Sequence, residues 1–328
     1  MRVAHVITRL IVGGAQENTV ATVFGLHRKA DVTVRLYSGP TTGPEGSLES
    51  GVRDIEGLLH LIPSLIRPVH PLRDFLAYCH LVREFKNFRP DIVHTHSGKA
   101  GLIGRLAAKR AGVPLIIHSI HGPSFGPFQG RIANALFSEA ERFAGSRTDH
   151  FITVANAMRD QYLAAGIGSR EDYTQIFSGF PLEPYLATEN TPSIRKKLGL
   201  LNDDFVVGKI ARLFELKGHE DLFAVAPRLA KRVPNIRFLL VGDGVWRESF
   251  ERLAKRIGCE ENFVFTGLVP PTDIPSLVGV MDCLVHLSRR EGLPRALPQA
   301  MAAGKPVVAF DCDGAGEVCL DGETGALI

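Results

Sequence analysis

Short apolar runs of strand length recur along this chain, and that recurrence constrains its fold more than any other feature. The runs are VAHVIT (3–8), VTVRLY (32–37), DIVHTH (91–96), PLIIHSI (114–120), HFITVA (150–155), FVVGKIAR (205–212), IRFLLVG (236–242), NFVFTG (262–267), CLVHLS (283–288) and PVVAF (306–310). Most are continuously apolar rather than alternating, as expected of strands covered on both faces in a parallel sheet. Helical stretches lie between them, such as 72–88, where Leu72, Phe75, Leu76, Cys79, Leu81, Val82 and Phe85 are expected along one broad apolar face. A βαβα order of this kind predicts doubly wound α/β layers.

There are two series of strands. One ends near QIFSGF (175–180) and the other opens near DDFVVGKIAR (203–212), with the proline-rich and polar PLEPYLATENTPS between them. The reading is α/β, with two tandem Rossmann-like doubly wound parallel-sheet domains: residues 1–180, a linker at 181–202, and residues 203–328. A length of 328 residues suits two cores. Ligands of open α/β sheets sit beyond the carboxyl ends of the strands, so two such domains facing each other would enclose a cleft.

Composition excludes several other classes. Hydrophobic residues make up 45% and charged residues 22%, which argues against disorder and against a membrane-spanning fold. A net charge of +3 with no recognisable motif argues against nucleic acid as a partner. The five cysteines are scattered and show no CxxC, so neither a disulfide framework nor a zinc knuckle is indicated, and a reducing compartment fits. The N-terminal MRVAHVITRL lacks the pattern of a signal peptide, and no apolar run approaches the ~20 residues that span a bilayer. A cytoplasmic location is expected, with room for peripheral contact at the inner face of a membrane.

Several motifs fall just after strands. Gly13 and Gly14 precede a helix, as a tight turn would require or as close approach of backbone to an anion would. VGDGVWR has Gly242 and Gly244 but Arg247 in place of the third glycine of a dinucleotide fingerprint. SGKA (97–100) lacks the remainder of a P-loop, so neither NAD nor ATP is supported. His94 and His96 close one strand, while His118 and His121 lie in and after the next; the four could cluster, but no carboxylate or cysteine joins them at a zinc-ligand spacing. His121, in the loop HGPSFGP, is the one expected to face a cleft. Arg212 at a strand end and Lys217 beside a helix start suit a diphosphate, or are surface charges. Asp311 and Asp313 in FDCDG have a cation-binding spacing but are more simply an acidic turn. Lys99, Arg105, Lys109 and Arg110 on one helix read as a solvated face or as a dock for anionic lipid headgroups. Pro294 and Pro298 fit only the start of a helix, which should begin near Arg295. Glu291 then lies in the loop before it and Gln299 about a turn inside.

Taken in order, the early glycine pair, DIVHTHSGKAGLIGRLAAKRAGVP, the His121 loop, ARLFELKGHEDL, LLVGDG, FVFTGLV and EGLPRALPQAMAAGKPVV resemble the large retaining glycosyltransferase family 4 over nearly the whole chain. The resemblance implies a GT-B fold, with the donor bound mainly by the C-terminal domain and the acceptor by the N-terminal one. It implies that Arg212 and Lys217 grip the donor diphosphate, that Gly13 and Gly14 approach it, and that the backbone of Gly292 and Leu293 helps there. His121 would sit beside the transferred sugar and Glu291 would contact one of its hydroxyls. It further implies a nucleotide-diphosphate sugar as substrate, no cofactor and no metal, retention of anomeric configuration, and an unidentified glycan or lipid-linked acceptor.

The chain departs from the family pattern in two places. Gln299 stands where the family normally has a second glutamate holding the nucleotide ribose, and the chain stops at GETGALI (322–328), where the pattern continues into crossover helices. A nucleotide-sugar 2-epimerase and a non-catalytic nucleotide-sugar binder are the competing readings.

Overall fold

In the computed structural model, which describes every residue except Pro44, Ser97 and Pro127, all ten apolar runs are strands. They belong to two units, Met1–Gly179 and Phe180–Ile328. The first holds β1 (Arg2–Ile7), β2 (Thr33–Ser38), β3 (Leu59–Leu61), β4 (Ile92–His96), β5 (Leu115–Ile120), β6 (His150–Thr153) and β7 (Tyr173–Gln175). The second holds β8 (Phe205–Ile210), β9 (Ile236–Val241), β10 (Phe263–Gly267), β11 (Cys283–His286), β12 (Val307–Ala309) and β13 (Gly325–Leu327).

Sheet order is β3-β2-β1-β4-β5-β6-β7 in the first unit and β10-β9-β8-β11-β12-β13 in the second. The pairings between these strands are parallel. The continuous apolar runs are explained by two-sided burial. In β1, Val3 and Ile7 enter one apolar cluster with Val23 of helix Gly14–His27, while Ala4 and Val6 enter the opposite cluster with Leu81 and Phe85. Likewise Val207, Phe238 and Leu240 face helix His219–Arg232, and Val206, Leu239 and Leu284 face the other side. A buried side chain of this size contributes about 1.5–3 kcal/mol, so either face alone would leave half of each strand's payload in water.

Three readings are corrected by the packing. Helix Pro71–Phe88 buries Ala77, Leu81, Phe85 and Phe88, whereas Leu72, Phe75 and Leu76 are 64%, 61% and 50% exposed and Cys79 is exposed as well. Its first two turns therefore present an apolar surface instead of a core face. Helix Gly98–Ala111 is not a flat basic face: Arg105 is fully buried and its Nη2 donates to Glu141 Oε2 at 2.6 Å. Lys99 on the same helix pairs with Asp74 and donates to Pro68 O at 2.5 Å, which leaves Lys109 and Arg110 as its exposed cations. The stretch expected as a linker, 181–202, is packed into the second unit as helices Glu183–Leu186 and Pro192–Lys197. Tyr185 and Leu200 join that core, and buried Arg195 donates to the carbonyls of Leu201 and Asp204. No helix among the described residues is long and apolar enough to cross a membrane.

Candidate active site

In an open parallel sheet a crevice forms where the strand order reverses, because the loops leaving the two central strands diverge to opposite faces. In the second unit that point lies between β8 and β11. The loop after β8 carries Arg212 and Lys217, and the loop after β11 carries Glu291, Gly292 and Leu293. Both loops are held in specific backbone conformations. Gly218 has φ +63°, and a Cβ there would lie 1.7 Å from Leu287 O, so the two loops touch at a position open only to glycine. Leu216 and Asp313 adopt positive φ despite their side chains, at 65° and 52°. Such strain concentrates where surrounding structure must hold a functional group in place. Leu216 O accepts the N–H of Arg289 at 2.8 Å, a second tie between the loops.

Lys217 Nζ donates to Glu291 Oε1 at 2.5 Å, and His286 Nε2, at the end of β11, lies 3.3 Å from the same oxygen. Asp313 Oδ2 accepts the backbone N–H of Glu291 at 2.7 Å. The acidic pair of FDCDG thus supplies a brace for the Glu291 loop. Burial by itself would raise the Glu291 carboxyl, but the Lys217 charge, the nearby His286 and the hydrogen bond from Lys217 outweigh it and hold the group well below the carboxylate range. Burial also lowers His286, so this imidazole is neutral near pH 7. Arg212 O accepts from His219 Nε2 at 3.0 Å, and the Arg212 guanidinium lies 5.7 Å from the Phe214 ring centroid.

The glycines of VGDG have a packing role. A Cβ at Gly242 would sit 2.4 Å from Ala211 O and one at Gly244 2.3 Å from Leu213 O, so they let this loop close on the Arg212 segment. Helix Ala296–Ala302 begins directly after Arg295, with Pro298 at its third residue where no intrahelical N–H is required. Gln299 N donates to Arg295 O at 3.2 Å, which sets Gln299 in the first turn.

The reversal in the first unit lies between β1 and β4. Gly13 and Gly14 open helix Gly14–His27 after β1; Gly13 is extended, with φ 172°, a conformation open to any residue. His121 follows β5 and joins a group of imidazoles. His96 Nδ1 and His121 Nε2 share a hydrogen bond of 3.1 Å, and His96 Nε2 and His5 Nδ1 share one of 2.9 Å. Register places His5 beside His94, so sequence reasoning missed a member that lies far off along the chain but adjacent in the sheet. His118 is not part of the group: it pairs with Thr95 Oγ1 at 2.8 Å on the opposite face, against Gly101. Burial pushes His5 down to about 3 and His121 to about 4, so both are neutral at pH 7. Ligand nitrogens of His5, His94 and His96 lie within 4.8 Å of one another. However, the His5–His96 nitrogens face each other at 2.9 Å, closer than the roughly 3.3 Å that two ligands about 2.0–2.1 Å from one tetrahedral zinc would keep. The group is a hydrogen-bonded chain ending at His121. Of SGKA, Ser97 lies outside the described residues.

Residues 13–176 match the glycosyl transferase 4-like domain and residues 190–328 match glycosyl transferases group 1. The chain is 26% identical over 321 residues to a UDP-Gal:alpha-D-GlcNAc-diphosphoundecaprenol alpha-1,3-galactosyltransferase of Escherichia coli, covering 96% of this chain and 80% of the relative. It is 30% identical over 235 residues to a GDP-mannose-dependent alpha-(1-6)-phosphatidylinositol monomannoside mannosyltransferase of Mycolicibacterium smegmatis, covering 69% of this chain and 60% of that one. The crystal structure of Anabaena Alr3699/HepE in complex with UDP and glucose has the same fold, with a TM-score of 0.80 at 24% identity over 100% of this chain and 85% of that chain. With both halves matched in order and the first match spanning half of its residues, the chain belongs to the glycosyl transferase 4-like family and is a glycosyltransferase of the GT-B type.

Proposed function

We propose that this enzyme moves a sugar from a nucleotide-diphosphate donor to a lipid-linked or cell-surface glycan acceptor, with retention of configuration and without a metal ion. The observation that carries the reading is the Lys217–Glu291 pair at the β8–β11 reversal, 2.5 Å apart and mostly buried. A cation held by a carboxylate is ready to transfer to a diphosphate, and the carboxylate it leaves can accept hydrogen bonds from sugar hydroxyls. In the transition state negative charge grows on the leaving diphosphate while the sugar becomes oxocarbenium-like. Arg212 and Lys217 stabilise that charge from fixed positions, and the N–H groups of Gly292 and Leu293 add to them. Gln299 holds the ribose. Gly13, Gly14 and His121 of the first unit keep the roles that the family resemblance implies for them, with His121 neutral at pH 7. The acceptor hydroxyl attacks the anomeric carbon from the face the diphosphate leaves, and the departing phosphate oxygen takes its proton.

The names of the relatives, which pair UDP-galactose or GDP-mannose with diphosphoundecaprenol or phosphatidylinositol acceptors, support this substrate class and do not favour epimerisation or simple binding. A peripheral membrane contact is part of the reading. Leu72, Phe75 and Leu76 at the start of one helix, and Ile132 and Leu136 at the start of helix Arg131–Gly145, are exposed beside the exposed cations Arg73 and Arg131.

Calorimetry with UDP-galactose, UDP-glucose and GDP-mannose tests the donor site. One sugar should bind, and Lys217→Ala and Glu291→Ala should each weaken it at least tenfold. Unchanged affinity in both variants would remove the assignment. Turnover retained in EDTA, an α-configured product by NMR, and flotation with anionic vesicles that is lost in Phe75→Ser/Leu76→Ser test the remaining parts.

A further inference from the structure

β8 carries a lysine inside its apolar run. Lys209 is 1% exposed, and its amino nitrogen has no hydrogen-bond partner. Register sets it level with Leu240 of β9, and its neighbours on that face of the sheet are Val207, Leu240 and the apolar side chains of helix His219–Arg232. A buried ammonium without a partner is among the most unfavourable states a side chain can adopt, so some requirement other than packing must account for a lysine here. The charged and titratable groups around it come from every neighbouring element: Lys217 from the loop after β8, His219, Glu220 and Asp221 from the first turn of the helix, and His286 and Glu291 from β11 and its loop. They include both members of the pair assigned to the donor.

We propose that Lys209 is a positioning residue for donor binding, which takes up a proton as the diphosphate draws Lys217 away from Glu291 and so keeps that carboxylate charged and in place. The inference rests on the donor-site reading above. Without donor, Lys217 already neutralises Glu291, and burial pushes Lys209 down to about 7, so that it is about half uncharged at pH 7 and mostly an uncharged amine at pH 7.5. Once Lys217 moves onto the phosphates, Glu291 loses its cation and the diphosphate adds negative charge nearby. Both changes favour the ammonium form of Lys209. The proton comes from the buffer and stays on Lys209 Nζ until the nucleotide leaves.

The test is calorimetry of UDP-galactose, UDP-glucose and GDP-mannose at pH 7.5 in buffers of different ionisation enthalpy. Diphosphate diesters do not themselves titrate in this range. The expected result is uptake of up to about three quarters of a proton per donor bound, with affinity tightening about fivefold from pH 8 to pH 7. Lys209→Met, which replaces the amine with an apolar side chain of similar length, should fold with a Tm no lower than the parent and bind donor with no uptake. Donor binding without uptake in the parent overturns the role of Lys209 and leaves the donor site standing. Uptake that persists in Lys209→Met does the same and places the proton on His286. If none of the three sugars binds, or if Lys217→Ala binds as tightly as the parent, the donor-site reading falls and takes the inference with it.

Discussion

Asp313 braces Glu291 through the backbone: its Oδ2 accepts the Glu291 N–H at 2.7 Å, from a residue held at φ +52°. Asn tolerates that left-handed conformation and keeps an acceptor, whereas Ala does neither. Asp313→Ala should therefore lose about 1.5–3 kcal/mol of stability and weaken donor binding about tenfold, while Asp313→Asn stays close to the parent. Denaturant unfolding and calorimetry on the two variants make the comparison, and equal behaviour would show that the brace does not matter.

Gly218→Ala should be far more damaging than an ordinary surface substitution. The new methyl group would meet Leu287 O at 1.7 Å in a backbone with φ +63°, so the loss should exceed the usual range of roughly 0.5–3 kcal/mol. Soluble yield and Tm report it. A variant with the parent's Tm would mean that the contact between the loops relaxes freely.

The buried Arg105–Glu141 pair makes a different prediction. Removing one partner strands a charge in the core, so Arg105→Met alone should cost about 3–5 kcal/mol, and adding Glu141→Leu should recover most of it. Vesicle binding by the double variant should match the parent, because neither side chain reaches solvent. A loss of vesicle binding would restore this helix as a lipid dock.

Under the donor reading proposed above, Gln299→Glu puts a carboxylate against the ribose. An amide and a carboxylate differ there by one hydrogen bond, so donor affinity should change by no more than about tenfold, or about 1.4 kcal/mol. Complete loss of turnover would count against the geometry assigned to this helix.

Acid should act on both units, with the same sign. His5 and His121 have their folded-state pKa values lowered, so below the unfolded value of 6.5 the unfolded chain binds more protons and stability falls with pH. Glu291 adds a second loss as pH drops below its ordinary 4.5, since its carboxyl is depressed in the folded state. Stability measured from pH 7.5 to pH 4 should decline throughout. Substituting His5→Asn should flatten the part of the curve between pH 6.5 and about 4.

The sequence was most readable where burial is two-sided. The ten long runs became strands because their apolar content was continuous, whereas β3, β7 and β13 are three residues each and carry no pattern of their own. Leu72, Phe75 and Leu76 misled because apolar spacing marks a face without saying what covers it. Lys217 and Glu291 could be singled out from the residues around them. Their pairing could not, nor could the role of Lys209, because those depend on β8 lying beside β11, and the brace from Asp313 depends on β12 lying along the other edge of β11. His5 illustrates the same limit: nothing around it in VAHVIT marks it as the neighbour of His94.

The adjacency of β8 and β11 also fixes when the site can exist. Lys217 and Glu291 are 74 residues apart along the chain, and β9 and β10 are made in between. Closing so long a loop is a slow, entropically opposed step. Leu216 cannot hold its strained conformation, nor can the two loops meet at Gly218, until the central pair of strands has zipped. Nucleotide-sugar capture should therefore be among the last properties acquired during refolding, appearing together with the final increment of sheet structure, and a time course of donor binding would act as a clock for the completion of the second unit.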